Sequence, residues 1–283
     1  MKCSVLRGIP PRMLVSFLVP LAACGTVMSP LSPITVTTHP VLSGPALFTS
    51  PTSSPSLPAT LKGTTVVLDP GHNGANGSHP AEVNRPVPNG RGGTKECDTT
   101  GTSTDGGYPE HALNWDVALR VRDALTARGV RVVLTRPDDA GVGPCVNDRA
   151  AIANRAGAEA IVSIHADGAP PSGHGFHVSY SNPPLNNSQG QPSAVLAQTL
   201  AKALRADGFT AAGYIGSNGL YPRSDLAGLN LAQIPAALVE CANMRNPQEA
   251  ALVSTPHGRA RYAVAIADGI MTWLTSRLPA HRP

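Results

Sequence analysis

Apolar residues gather in short runs, separated by long polar stretches rich in glycine and proline. Residues 64–68 are too few for a helix and are β-branched or aliphatic, so they predict a buried strand. Leu113, Val117, Val121, Ala124 and Leu125 follow Pro109 at helical spacing and predict a helix with one face on a sheet. Gly129 ends that helix, and residues 130–135 read as a second strand. Asn147 or Asp148 caps a short helix running to Ala156. Residues 159–164, 176–180 and 236–240 read as further strands. Ser193 caps a helix with Val195, Leu196, Leu200 and Leu204 on one face. Residues 256–278 carry Val264, Ile266, Ile270, Trp273 and Leu274 and read as a terminal covering helix. Strands alternate with helices, which predicts a single α/β domain with a mostly parallel central sheet flanked by helices.

Two stretches fall outside that pattern. Residues 73–108, dense in Gly, Pro, Asn and Thr, predict a long loop of the functional or mobile kind. The beginning of the chain divides in two. Residues 1–24 carry three positive charges and then a short apolar core ending in small residues, which predicts an export signal too short to span a bilayer. Leu21-Ala22-Ala23-Cys24 also has the form of a lipobox, so lipidation at Cys24 and plain cleavage nearby both stay open. Residues 25–60, rich in Pro, Ser and Thr, predict a disordered tether, leaving 61–283 as the folded domain.

Composition changes this picture little. Hydrophobic residues make up 41% but aromatics only 4%, so the core must be aliphatic. The formal charge of +4 falls to +1 without Lys2, Arg7 and Arg12, and no basic run points to nucleic acid. Cys97 and Cys145 lie in loops of an exported chain and are expected to form a disulfide. Cys241 reads as a buried free thiol.

The candidate chemistry sits where the strands end. His72 follows the first strand through Asp69-Pro70-Gly71, where open α/β sheets place their ligands. His165 follows the strand at 159–164, and Glu240 ends the strand at 236–240. Two histidines and a carboxylate suit a metal hydrolase, which keeps one coordination position open. Asp69 and Asp167, beside the two histidines, are candidates to orient them, and His174 and His177 are alternate ligands. Glu240 has an almost wholly apolar approach, which suits a general base acting on metal-bound water. Glu110 is either a partner of the helix dipole or an inward-pointing ligand. Cys241 points to the opposite strand face from Glu240, and no serine nucleophile elbow or phosphate-binding loop occurs.

Segments 67–74, 110–114, 133–136, 149–154, 162–167 and 235–240, in that order, resemble the zinc-dependent N-acetylmuramoyl-L-alanine amidases of bacterial cell walls, mycobacterial and other actinobacterial members among them. The resemblance spans about residues 64–274. It implies one zinc ion per chain held by His72, Glu110 and His165, with Glu240 as catalytic glutamate. It implies a peptidoglycan hydrolase that cuts the amide between N-acetylmuramic acid and L-alanine with zinc-activated water. A zinc peptidase acting on stem peptides and a non-catalytic peptidoglycan-binding module are the alternatives. The expected setting is the periplasm, cell wall or extracellular space. The expected partners are cell wall or its fragments, with a membrane only through a lipid at Cys24, and the expected state is a monomer. The chain departs from the family in the length of residues 73–108 and in Cys241-Ala242-Asn243-Met244-Arg245 after the glutamate. It carries no evident extra inhibitory helix between His165 and Glu240 beyond the one at 193–207.

Overall fold

The computed structural model describes residues 61–278. The export signal, lipobox and tether expected before residue 61 lie outside the described residues. Six strands form the central sheet: β1 (Thr65–Pro70), β4 (Arg131–Leu134), β5 (Ala160–Asp167), β6 (His177–Ser181), β7 (Leu220–Arg223) and β8 (Ala236–Asn243). Their order is β4-β1-β5-β8-β6-β7. β4, β1, β5 and β8 run parallel, β6 is antiparallel to β8, and β7 is parallel to β6.

Alternation along the strands divides the core. Val66, Leu68, Val162, Ile164, Ala237 and Val239 pack into the larger cluster. That cluster takes in residues of α2 (Glu110–Thr126), α4 (Gln191–Ala206) and α7 (Pro256–Ser276). Val67, Ile161, Ala236 and Leu238 face the smaller cluster, with Ala153 of α3 (Val146–Arg155) and Leu229 of α5 (Ala227–Leu231). With both faces covered, the near-continuous apolar runs of β1, β5 and β8 are what a buried parallel sheet requires.

β5 and β8 run beyond their expected ends, so His165, expected after its strand, and Glu240, expected at the end of its own, both lie inside strands, paired directly across the ladder. By alternation both side chains fall on the face of the smaller cluster. Residues 73–108 also hold more structure than expected. They contain a short helix, α1 (Pro80–Val83), and an antiparallel hairpin of β2 (Pro86–Pro88) and β3 (Thr94–Glu96). β7, α5 and α6 (Pro247–Val253) were not expected either, each being only four to seven residues long. The terminal helix ends at Ser276, and α4 starts at Gln191, two residues before the expected cap.

Candidate active site

His72 is carried by the turn after β1. Its φ of 59° is left-handed, so the unusual backbone of this turn belongs to the histidine rather than to Gly71. Gly71 is needed for another reason. A Cβ there would stand 2.0 Å from Cε1 of His165, so only glycine lets that ring close in. Two buried arginines grip the turn through its carbonyls. Arg136 donates to the oxygens of Pro70 and Gly71, and Arg149 to those of Pro70 and His72.

α2 begins at Glu110 and sends it inward, against the rings of His72 and His165. Oε1 of Glu110 lies 3.2 Å from Nε2 of His72 and 3.0 Å from Nδ1 of His165. The carboxylate is fixed by the amides of Thr102 and Ala166 and by the side chain of Asn114. One ligand atom from each of His72, Glu110 and His165 lies within 4.8 Å of the others. Ligands about 2.0 Å from a tetrahedral zinc stand roughly 3.3 Å apart, so the two spacings to Glu110 fit such an ion. His174 and His177 are not in the group; His177 instead donates toward Asp167.

The two neighbouring aspartates do not orient the histidines. Asp69 accepts from Thr135, Ser163 and Arg149, and Asp167 faces His177 and Tyr214. The group beside His72 is Asp98, 3.2 Å from Nδ1, and the carbonyl of Thr99 lies at 3.0 Å. Asp98 is itself held by Arg149 and is buried. Sequence reasoning missed it, along with the parts played by Arg136 and Arg149. The signals available were Asp98 beside Cys97 and the two arginines within the family-like segments. Gly101 was missed as well: a Cβ there would meet Glu110 Oε2 at 2.7 Å and His72 Cδ2 at 2.8 Å.

The charges at this site are unbalanced towards the negative. Burial acts to push the His72 imidazole down, but Glu110 and Asp98 outweigh it and hold it up at about 10. Burial acts to raise Glu110 too, yet the two histidines keep it well below its ordinary value. Glu240 goes the other way: burial first, then the charges of Glu110 and Asp167, raise it well above 4.5. Its Oε2 is buried with no hydrogen-bond partner among the described residues. His72, Glu110, His165 and Glu240 all line one cavity. Two histidines and a carboxylate drawn together, with an unpartnered carboxylate oxygen alongside, fit a dication and a proton acceptor.

A family model for N-acetylmuramoyl-L-alanine amidase (Amidase_3) matches residues 66–272. The chain belongs to this family. The amidase is 52% identical over 225 residues to the N-acetylmuramoyl-L-alanine amidase Rv3717 of Mycobacterium tuberculosis, covering 80% of this chain and 92% of that one. Its fold is similar to the crystal structure of the N-acetylmuramyl-L-alanine amidase Ami1 from Mycobacterium smegmatis, with a TM-score of 0.75 and 57% identity over 77% of this chain and 99% of that one. The Ami1 apo structure from Mycobacterium abscessus gives a TM-score of 0.73 at 56% identity, covering 75% and 99%.

Outside the cavity the amidase carries a disulfide between Cys97 and Cys145, separated by 48 positions, and a buried free thiol at Cys241. Asn246 caps α6 through the amides of Gln248 and Glu249.

Proposed function

We infer that this amidase hydrolyses the amide joining the lactyl group of N-acetylmuramic acid to L-alanine in peptidoglycan, with zinc held by His72, Glu110 and His165. The observation that carries the reading is the convergence of those three side chains beside Glu240 in one cavity of an amidase-family fold. Zinc bound there supplies Lewis acidity, lowering the pKa of water and polarising the scissile carbonyl. The chain's own residues do the rest. Asp98 and the Thr99 carbonyl fix the outer nitrogen of His72. The Thr102 and Ala166 amides fix the Glu110 carboxylate. The free Oε2 of Glu240 takes the proton of the attacking water and returns it to the departing alanine amine. Its raised pKa suits a group that must both accept and release that proton. The C–N bond breaks, the water oxygen joins the lactyl carbonyl carbon, and the amine leaves protonated.

The export signal and tether are part of the same proposal, since peptidoglycan lies outside the cytoplasmic membrane. The test is hydrolysis of a muramyl dipeptide after removal of metal by a chelator and its return. Activity lost with the chelator and restored by zinc in the wild type, but absent in zinc-loaded Glu240→Gln, is the expected result. Full turnover in the chelated enzyme would overturn the metal's role. Wild-type turnover by the variant would overturn the role of Glu240.

A further inference from the structure

Two cationic side chains line the cavity of the metal-ligand group, Arg149 and Lys95. Arg149 has nothing left to offer a substrate. Its Nε donates to the Pro144 carbonyl, Nη1 to Asp69 and the Pro70 carbonyl, and Nη2 to the His72 carbonyl and Asp98. Those bonds match the five donors of a guanidinium. Lys95 is in the opposite condition. Among the described residues no ion pair or side-chain hydrogen bond engages its ammonium. Asp225, a carboxylate that feels the Lys95 charge, is already paired with Arg223.

The element that presents Lys95 is held at both ends. Lys95 sits mid-strand in β3, opposite Val87 of β2. Two residues on, Cys97 is bonded to Cys145, and Val87, Cys97 and Cys145 form a small apolar cluster with Val146 against it. At the hairpin tip, Arg91 donates to Asn230 of α5, to the Ser181 hydroxyl and to the Pro183 carbonyl. Asn230 donates back to the Asn89 carbonyl, and a Cβ at Gly90 would collide with the Asn230 side chain at 2.7 Å. The hairpin is thus fixed over the same α5 segment that walls the cavity. The strand that carries Lys95 is fixed, so its ammonium stays within one side chain's reach of the cavity and can meet an anion there as a point charge.

We propose that Lys95 is a specificity-determining residue that pairs with the α-carboxylate of the residue after L-alanine on the peptide attached to N-acetylmuramic acid. The proposal rests on the cavity being the hydrolytic site. Of the two cations lining the cavity, Arg149 is saturated, so Lys95 is the one left to meet a substrate anion there. The chemistry predicts discrimination between a carboxylate and its carboxamide at one position, expressed in KM rather than in kcat.

The experiment compares N-acetylmuramoyl-L-alanyl-D-glutamate with its D-isoglutamine counterpart, which replaces the α-carboxylate by a carboxamide and leaves the γ-carboxylate in both. The zinc-loaded wild type is expected to prefer the carboxylate by about tenfold, through a lower KM, as one charge-assisted pair warrants. Lys95→Met should bring the ratio to about one, and Lys95→Arg should keep most of it. A wild type indifferent to the substitution, or a preference that survives Lys95→Met, overturns the proposal. Dissociation constants for the same two ligands, from titration calorimetry on wild type and Lys95→Met, carry the comparison even where neither compound is cleaved. Failure of the hydrolytic reading is thereby kept apart from failure of the lysine's role.

Discussion

At the scale of single residues the centre is a contest over protons. Glu110 and Asp98 hold His72 at about 10 against the effect of burial, so the ring keeps its proton at neutral pH while no cation is present. A metal needs the free nitrogen, so metal binding expels that proton, and affinity falls as pH drops. Zinc titration in buffers of different ionisation enthalpy is expected to read at least about one proton released per ion. A buffer-independent enthalpy would contradict this. Glu240 has the opposite sign. Its folded pKa is raised, so its contribution to stability is whole below the unfolded value and is lost as pH rises through the folded one. Glu240→Gln is therefore expected to raise the Tm of the chelated protein at pH 7 and to change it little at pH 4. A lower Tm at pH 7 would show the charged carboxylate to be stabilising. Asp98→Asn loosens the outer hydrogen bond of His72 and should weaken zinc binding by about 10- to 100-fold, read by competition with a chromophoric chelator. An unchanged dissociation constant would remove Asp98 from the site.

At the scale of elements, alternation explains both what the sequence revealed and what it concealed. The apolar runs at β1, β5 and β8 were legible because parallel strands buried on both faces are apolar throughout. The same uniformity hid their ends, since Asp167 and Asn243 continue their strands as polar residues. His72, His165 and Glu240 could be singled out as polar residues at the close of apolar runs. Glu110 could not be decided without the resemblance, because a helix start accommodates an acid for reasons of its own. Asp98 was marked only by its place beside Cys97: the path of a 36-residue loop, and so its hydrogen-bond partners, follows from turns and from the Cys97–Cys145 bond rather than from periodicity. Two predictions belong here. Gly71→Ala drives a methyl into the His165 ring and should abolish stoichiometric zinc binding while circular dichroism stays that of a folded α/β protein. Normal zinc content in that variant would show that the turn can yield. The double change Cys97→Ser, Cys145→Ser opens a 48-position loop and should lower unfolding free energy by up to about 4 kcal/mol in the chain-entropy model, measured by urea denaturation. A midpoint unmoved from wild type would mean the pocket of Val87 and Val146 holds the hairpin unaided.

At the scale of the molecule, the sheet puts its chemistry at one end and on one face. Parallel pairing of β1, β5 and β8 aligns their carboxyl ends, and parity places His165 and Glu240 on the side walled by α5. α2 packs in the larger core yet starts at Glu110, so one helix both covers the sheet and delivers that carboxylate to the two histidines. The family was readable from ordered motifs because those segments lie on β1, α2, β4, α3, β5 and β8 or the turns beside them, whereas the hairpin that bears Lys95 belongs to no periodic pattern. In the proposed reaction water attacks the lactyl carbonyl rather than a peptide carbonyl of the stem. Hydrolysis of a muramyl dipeptide by the zinc-loaded enzyme in water enriched in oxygen-18, followed by mass spectrometry of both products, tests it directly. Heavy oxygen in the lactyl carboxylate of N-acetylmuramic acid, with an unlabelled dipeptide beginning at L-alanine, is the predicted result. Heavy oxygen on the carboxylate of alanine, with the sugar still joined to that alanine, would contradict it and make the protein a peptidase on an amidase scaffold.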